Sequence, residues 1–159
     1  MRNQYGKLYQ NIETKEIICV SYNMADDYYA SVMSVIEQGY CQSIFTSSVM
    51  LSLIEHFLLT QNASIVNIEF LEDDEELDME IKNTLRMMKN NGAYWGVLKE
   101  KLAFLSRYDS VDIKRVEMKV ADGAGFIVSM QVNGIVTVTE NAYDIVTNEI
   151  VEVVGRALA

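Results

Sequence analysis

The chain has 159 residues, of which 50% are hydrophobic, and it contains no proline. A chain of this length and apolar content can bury a sizeable core, which excludes a disordered protein and proline-rich or collagen-like segments. Its formal net charge of −10 argues against direct binding to nucleic acid or to an anionic membrane surface.

The N-terminal quarter predicts a β-hairpin followed by a helix. Two β-rich stretches, Tyr5–Ile12 and Glu16–Tyr22, flank a short polar turn. A helix over about 25–38 follows, with Asn23 as its N-cap and Gly39 directly after its end. Its predicted buried stripe consists of Tyr29, Val32, Met33 and Ile36.

The second helix is apolar nearly all round its circumference. It begins at Ser47 or Ser48 and contains the apolar stretch Val49–Leu59, which is typical of a helix in the core or at an interface. His56, the only histidine, lies within it, and we expect a hydrogen-bonded residue at the core boundary. A short strand from Ile65 to Phe70 follows.

Two long helices are predicted next, over about 74–90 and 93–107. The short Asn91-Gly92 link between them indicates that they are adjacent and antiparallel. The apolar stripe of the first is Leu77, Ile81, Leu85 and Met88, and that of the second is Trp95, Leu98, Leu102 and Leu105.

The C-terminal third predicts a three-stranded meander and a last helix. A five-residue loop, 121–125, keeps apolar residues opposite each other by pairing Val120 with Phe126, Met118 with Val128 and Val116 with Met130. The apolar alternation breaks at Lys114-Arg115, where we expect a bulge or the end of the strand. Asn133-Gly134 predicts a two-residue turn, which pairs Val132 with Ile135, Met130 with Thr137 and Val128 with Thr139. The last helix spans about 142–158 and is capped by Asn141, with Val146, Ile150, Val153, Val154 and Ala157 facing the core.

This order of elements predicts an α+β fold. Its mainly antiparallel sheet combines the N-terminal hairpin with the C-terminal meander and is packed by about five helices. We expect one compact domain over residues 1–159, with 62–72 as the boundary should the domain have two lobes. The first twenty residues contain no apolar signal core, so we expect a cytoplasmic protein in which Cys19 and Cys41 are free, buried thiols.

Negative charge is concentrated in one part of the sequence. Residues 16–81 carry thirteen acidic and no basic residues. The densest part, here called the acidic segment, comprises Glu69, Glu72, Asp73, Asp74, Glu75, Glu76, Asp78 and Glu80. Acidic residues at the start of a helix suit its dipole, and Asp78 with Lys82 is a favourable i,i+4 pair. Helix electrostatics alone is therefore one interpretation of the acidic segment. One or two acids satisfy the dipole, however, and the others repel each other, so the alternative interpretation is a docking surface for a basic partner.

Three hypotheses about function follow. The favoured one is a small non-catalytic binding or regulatory protein, of the inhibitor, immunity or nucleic-acid-mimic type, that docks a basic protein through the acidic segment. The first alternative is a small divalent-metal-dependent enzyme, which requires acids converging on one cleft. The second is an oligomeric structural or accessory protein that dimerises through the Val49–Leu59 helix. No catalytic residue, metal ligand or cofactor is assigned, because no motif has the necessary spacing.

Overall fold

The computed structural model describes residues 2–23, 27–90 and 93–158. The strands in these residues are β1 (Asn3–Asn11), β2 (Ile17–Tyr22), β3 (Tyr40–Gln42), β4 (Ser64–Phe70), β5 (Ile113–Val120), β6 (Phe126–Gln131) and β7 (Ile135–Thr139). The helices are α1 (Tyr28–Glu37), α2 (Ser47–Thr60), α3 (Glu75–Asn90), α4 (Tyr94–Tyr108) and α5 (Tyr143–Ala157). The predicted Asn91-Gly92 link lies outside the described residues.

All seven strands form one antiparallel sheet, in the order β2-β1-β7-β6-β5-β4, with β3 pairing to β1. The predicted α+β fold, with helices packed on a mainly antiparallel sheet, is therefore confirmed. Strand β4, which lies within the suggested 62–72 boundary, is the edge strand next to β5 in this sheet.

The main core lies between one face of the sheet and helices α2 and α5. The sheet contributes the fully buried Val116, Met118, Val128, Met130, Val136 and Val138. Helix α2 contacts α4 and α5 as well as β5, and its Leu53, Ile54 and Phe57 are fully buried. This position accounts for most of the apolar residues of Val49–Leu59 within the chain itself, whereas Leu59 is 73% exposed. No helix in the described part of the chain is both long and apolar enough to cross a bilayer.

Helix α1 lies against the opposite face of the sheet. Its Val32 and Val35 are buried, as is Tyr9 of β1, but none of the three belongs to the main core. The predicted stripe is therefore wrong in part, because Tyr29 is 71% exposed and Ile36 is 39% exposed. The predicted cap is also wrong. The N-cap is Asp27, whose Oδ1 accepts hydrogen bonds from the backbone N–H of Tyr29 and Ala30 at 3.0 and 3.4 Å.

The β5–β6 register agrees with the prediction at all three predicted pairs, from Val116↔Met130 to Val120↔Phe126. The irregularity expected at Lys114-Arg115 is also confirmed. Strand β4 pairs Glu69 with Arg115 but Phe70 with Ile113, so β5 contributes one extra residue at this point. Pairing apolar with apolar side chains was sufficient to fix this register.

The predicted β6–β7 register is wrong by one residue. Met130 pairs with Val136 and Val128 with Val138, which keeps all four side chains on the core face. The predicted two-residue turn instead placed a threonine opposite Met130 and another opposite Val128. The loop has three residues, 132–134, and the Gly134 N–H donates to the Gln131 carbonyl at 3.0 Å. Burial of the apolar face outweighs the turn preference of Asn-Gly.

Smaller differences occur in α5 and at one cysteine. The predicted cap Asn141 is wrong, because a 3-10 turn, Glu140–Ala142, leads into α5 and its N-cap, Ala142, makes no side-chain cap bond. Ala157 is exposed rather than in the core. Cys41 is exposed, whereas Cys19 is half-buried with its Sγ 3.8 Å from the Tyr143 hydroxyl.

Candidate protein-docking surface

The acidic segment runs from the edge strand β4 through a connection into α3. The Leu71 N–H donates to the Asp112 carbonyl at 3.0 Å, which ties the connection to the end of the α4–β5 linker. The Asp74 carboxylate accepts a hydrogen bond from the Leu77 N–H at 3.1 Å and so caps α3. Leu77 and Ile81 anchor α3 in the core, which leaves its other side in solvent.

The structure places the eight acidic residues in different environments. Glu69 is half-buried on β4, and its Oε1 lies 3.8 Å from Arg115 Nη1. Glu80 forms an ion pair with Lys101 of α4. Five exposed acids have no cation within 4 Å among the described residues, namely Glu72, Asp73, Glu75, Glu76 and Asp78. The predicted Asp78–Lys82 ion pair does not form, since the Lys82 ammonium is not within 4 Å of the Asp78 carboxylate.

The acids do not gather around one point. In the described ranges, no group of three or more His, Cys, Asp or Glu side chains is arranged to hold a metal ion. A cleft of about 320 Å³ between β4 and the start of α3 does include four of the acids, Glu69, Glu72, Asp73 and Asp78. Lys82 and Lys114 line the same cleft, so both signs of charge are present there. The carboxylates otherwise spread over an exposed surface.

An exposed aromatic pair lies on α4 and was not predicted from the sequence. The rings of Phe104 and Tyr108 are in contact in a tilted arrangement, with centroids 4.9 Å apart and planes at 43°, although the two residues are 55% and 66% exposed. Val97 on the same helix is 59% exposed. These three residues are spaced i, i+7 and i+11, which places them on one side of a helix. That spacing is visible in the sequence, on a different side of the helix from the buried stripe that contains Trp95.

The aromatic pair lies on the helix that contacts α3, which carries part of the acidic segment. Helices α3 and α4 are in contact, and the Glu80–Lys101 ion pair joins their middles. Phe104 and Tyr108 follow Lys101 by one and two helical turns, towards the point where Leu71 bonds to Asp112. They are therefore at the end of α4 that the Leu71–Asp112 hydrogen bond ties to the connection into α3, where Glu72 and Asp73 lie. We call this combined region, the acidic segment with Phe104 and Tyr108, the docking surface.

Two polar side chains of α2, His56 and Ser47, have structural partners. His56 Nε2 lies 3.3 Å from Glu149 Oε2 in a half-buried position, as expected for a residue at the core boundary. The Ser47 hydroxyl donates to the Asp112 carboxylate at 2.9 Å and accepts from the Ile113 N–H at 3.1 Å. Comparison of the chain with protein-family models, curated proteins and solved structures found no match.

Proposed function

We propose that this protein is a non-catalytic binding protein that docks a basic protein partner on the docking surface. The observation that carries the proposal is the exposed Phe104–Tyr108 pair beside five carboxylates that have no described cationic partner. Protein interfaces commonly combine aromatic anchors at their centre with a charged, solvated rim. The arrangement therefore fits a partner with a basic surface and an apolar pocket.

The number of acids exceeds what the fold needs. Asp74 supplies the cap of α3, and acidic residues in its first turn satisfy the helix dipole, an effect worth about 0.3–1 kcal/mol each. Additional like charges on neighbouring turns repel each other. A basic partner removes this repulsion, and long-range attraction raises association rates from about 10⁵–10⁶ M⁻¹s⁻¹ towards about 10⁸–10⁹ M⁻¹s⁻¹ at low salt.

The aromatic pair supplies binding affinity, which exposed charges alone do not. Exposed charged pairs at an interface rim contribute little to affinity, whereas buried aromatic anchors contribute much of it. Phe104 and Tyr108 are rigid, large and already in contact with each other, so burying them against a partner orders few additional rotatable bonds. We therefore assign encounter to the acidic segment and affinity to the aromatic pair.

The test is capture of a partner by the immobilised full-length chain from a lysate of its native host, at about 0.05 and 0.5 M NaCl. An acid variant combines Glu72→Gln, Asp73→Asn, Glu75→Gln and Glu76→Gln, which leaves the Asp74 cap intact. An aromatic variant combines Phe104→Ala with Tyr108→Ala. A matched control removes four exposed acids elsewhere, at Glu13, Glu37, Glu140 and Glu152.

We expect the wild type and the control variant to retain the same basic protein at low salt and to release it at high salt. Both docking-surface variants should lose it. Loss of capture in the control as well would show that net charge, rather than this surface, retains the protein. Equal capture by all four chains would contradict the proposal.

A further inference from the structure

A cleft of about 330 Å³ lies where the end of α2 and the start of β4 meet the later turns of α3 and the start of α4. Most of its described lining is apolar, namely Leu58, Ala63, Ile65, Leu85, Met88 and Trp95. We call it the apolar cleft. The docking surface, in contrast, uses the first turns of α3 and the last turns of α4, so nothing in the docking proposal involves this cleft.

The floor of the apolar cleft is part of the hydrophobic core. Ala63, Ile65, Leu85 and Trp95 belong to the core cluster, yet each keeps between 5% and 8% of its surface exposed. An apolar group that filled the cleft would remove this surface from water, which is favourable in proportion to the area. The volume is at the lower end of the range of about 300–1,000 Å³ for ligand sites, so the cleft fits one short chain.

Lys89 is the only charged residue in the described lining of the apolar cleft. It is exposed, and among the residues that the structure describes no carboxylate lies within 4 Å of its ammonium. Asn62 and Ser64 add an amide and a hydroxyl to the same lining. A cationic group thus accompanies an apolar floor in a protein whose net charge is −10, which favours a ligand with an apolar body and an anionic head.

The ends of three helices also contribute charge at the apolar cleft. Trp95 lies in the first turn of α4, so the positive end of this helix dipole is here. Leu58 lies in the last turn of α2 and Lys89 in that of α3, which brings two negative ends to the same cleft. Since each helix end counts as about half a charge, the full charge of Lys89 leaves a positive balance.

We propose that the apolar cleft binds an alkyl monocarboxylate of medium chain length, about six to ten carbons. The alkyl chain packs against Leu85, Met88 and Trp95, and the carboxylate pairs with the Lys89 ammonium. The indole of Trp95 is held in place for this contact, because its N–H donates to Glu55 Oε1 at 3.4 Å. The site shares no residue with the docking surface, so either proposal can fail without the other.

The test is titration of the full chain with hexanoate and octanoate, followed by tryptophan fluorescence. Trp95 is the only tryptophan, so its emission reports directly on the apolar cleft. We expect a saturable change with both probes and about 15-fold tighter binding of octanoate, since each buried CH₂ adds about fourfold to the affinity. In ¹H–¹⁵N NMR spectra octanoate should shift the amides of Ala63, Ile65 and Leu85, which locates the probe in the cleft.

The head group is tested with Lys89→Gln, an exposed substitution that leaves the apolar floor intact. It should weaken octanoate binding about two- to fivefold at low salt, as expected for an exposed ion pair, and should not change the affinity for 1-octanol. Lys82→Gln, at an exposed lysine of the same helix, is the matched control and should bind octanoate like the wild type.

Three results would overturn the proposal of an alkyl monocarboxylate site. The first is the absence of a saturable change with octanoate, or amide shifts that lie away from the apolar cleft. The second is unchanged octanoate binding by Lys89→Gln. The third is binding of octylammonium to the wild type as tight as that of octanoate, because the same chain with a cationic head would then be accepted equally.

Discussion

Gly134 is the residue on which the C-terminal hairpin depends most closely. Its φ is +81°, and a Cβ at this position would lie 2.3 Å from the Ser43 carbonyl oxygen. Its own carbonyl accepts a hydrogen bond from the Leu8 N–H at 2.9 Å. We expect Gly134→Ala to lower the free energy of unfolding by about 2–4 kcal/mol. The cost of a left-handed conformation for alanine adds to the cost of the overlap between its Cβ and the Ser43 backbone. Urea unfolding measures this change.

Gly123→Ala is the control for the conformational part of that loss. Gly123 also has a positive φ, +66°, but nothing lies within 4 Å of the position of its Cβ. Its substitution should therefore cost only about 1–2 kcal/mol. Equal losses at the two glycines would show that the close approach to Ser43 is not tight.

Lys7 is a buried cation, only 1% exposed, on the sheet face that α1 covers. Its ammonium donates to the Asn133 carbonyl and lies 6.0 Å from the centre of the Tyr28 ring, with no described carboxylate within 4 Å. Burial lowers the pKa of Lys7 below its ordinary value. The native state therefore releases this proton at a lower pH than the unfolded chain does.

The lowered pKa predicts a pH dependence of stability. Between the native pKa and the unfolded value of about 10.5, the unfolded chain binds more protons, so Lys7 makes the protein more stable as the pH rises. Lys7→Met lacks this contribution. The free energy of unfolding of the wild type minus that of Lys7→Met should therefore increase between pH 8 and pH 10.5. A difference that stays constant or decreases over this range would contradict a lowered pKa.

At the scale of single elements, Trp95 joins α4 to α2. It is buried, and its indole N–H donates to Glu55 Oε1 at 3.4 Å, while Lys99 Nζ bonds to the same carboxylate at 2.9 Å. We expect Trp95→Ala to lower the free energy of unfolding by about 3–5 kcal/mol, as is typical of a large core residue. Val97→Ala, on the exposed side of α4, should change it by less than about 0.5 kcal/mol. Similar effects of the two substitutions in urea unfolding would place Trp95 outside the core.

The register of the meander shows what a sequence can and cannot predict about strand pairing. The β5–β6 pairs and the bulge at Lys114 followed from keeping apolar residues on one face. The predicted β6–β7 pairs are wrong because they follow the Asn133-Gly134 turn signal, whereas the strands pair so as to keep their apolar residues on one face. Burial of a whole strand face involves more free energy than one turn preference. Keeping the apolar residues on one face should therefore decide the register.

Helix α1 shows a different limit of prediction from sequence, which concerns the buried side of a helix. Its sequence is apolar on several sides, and periodicity alone does not tell which side is buried. Contact with the β1 and β3 end of the sheet selects Val32 and Val35, and it also covers Lys7. Such a choice depends on residues distant in sequence, since the helix meets the sheet only in the folded chain.

At the scale of the whole molecule, the concentration of charge was evident from sequence. Residues 16–81 carry thirteen acids and no base, and most of the acidic segment is indeed exposed. The neighbouring aromatic half of the docking surface was not predicted, because Phe104 and Tyr108 lie on a different helix and read as ordinary helix residues.

We propose that the acidic segment carries more charge than the fold requires. The free energy of unfolding should be measured for the wild type and for the variant with Glu72→Gln, Asp73→Asn, Glu75→Gln and Glu76→Gln, at about 0.02 and 0.5 M NaCl. At the lower concentration the Debye length exceeds about 20 Å, so repulsion among the acids acts at nearly full strength, and at the higher it is largely screened. We predict that the variant is as stable as the wild type or more stable at low salt, and that its advantage decreases at high salt. A variant less stable by about 1 kcal/mol or more at both salt concentrations would show that these carboxylates serve the fold, and would contradict the account.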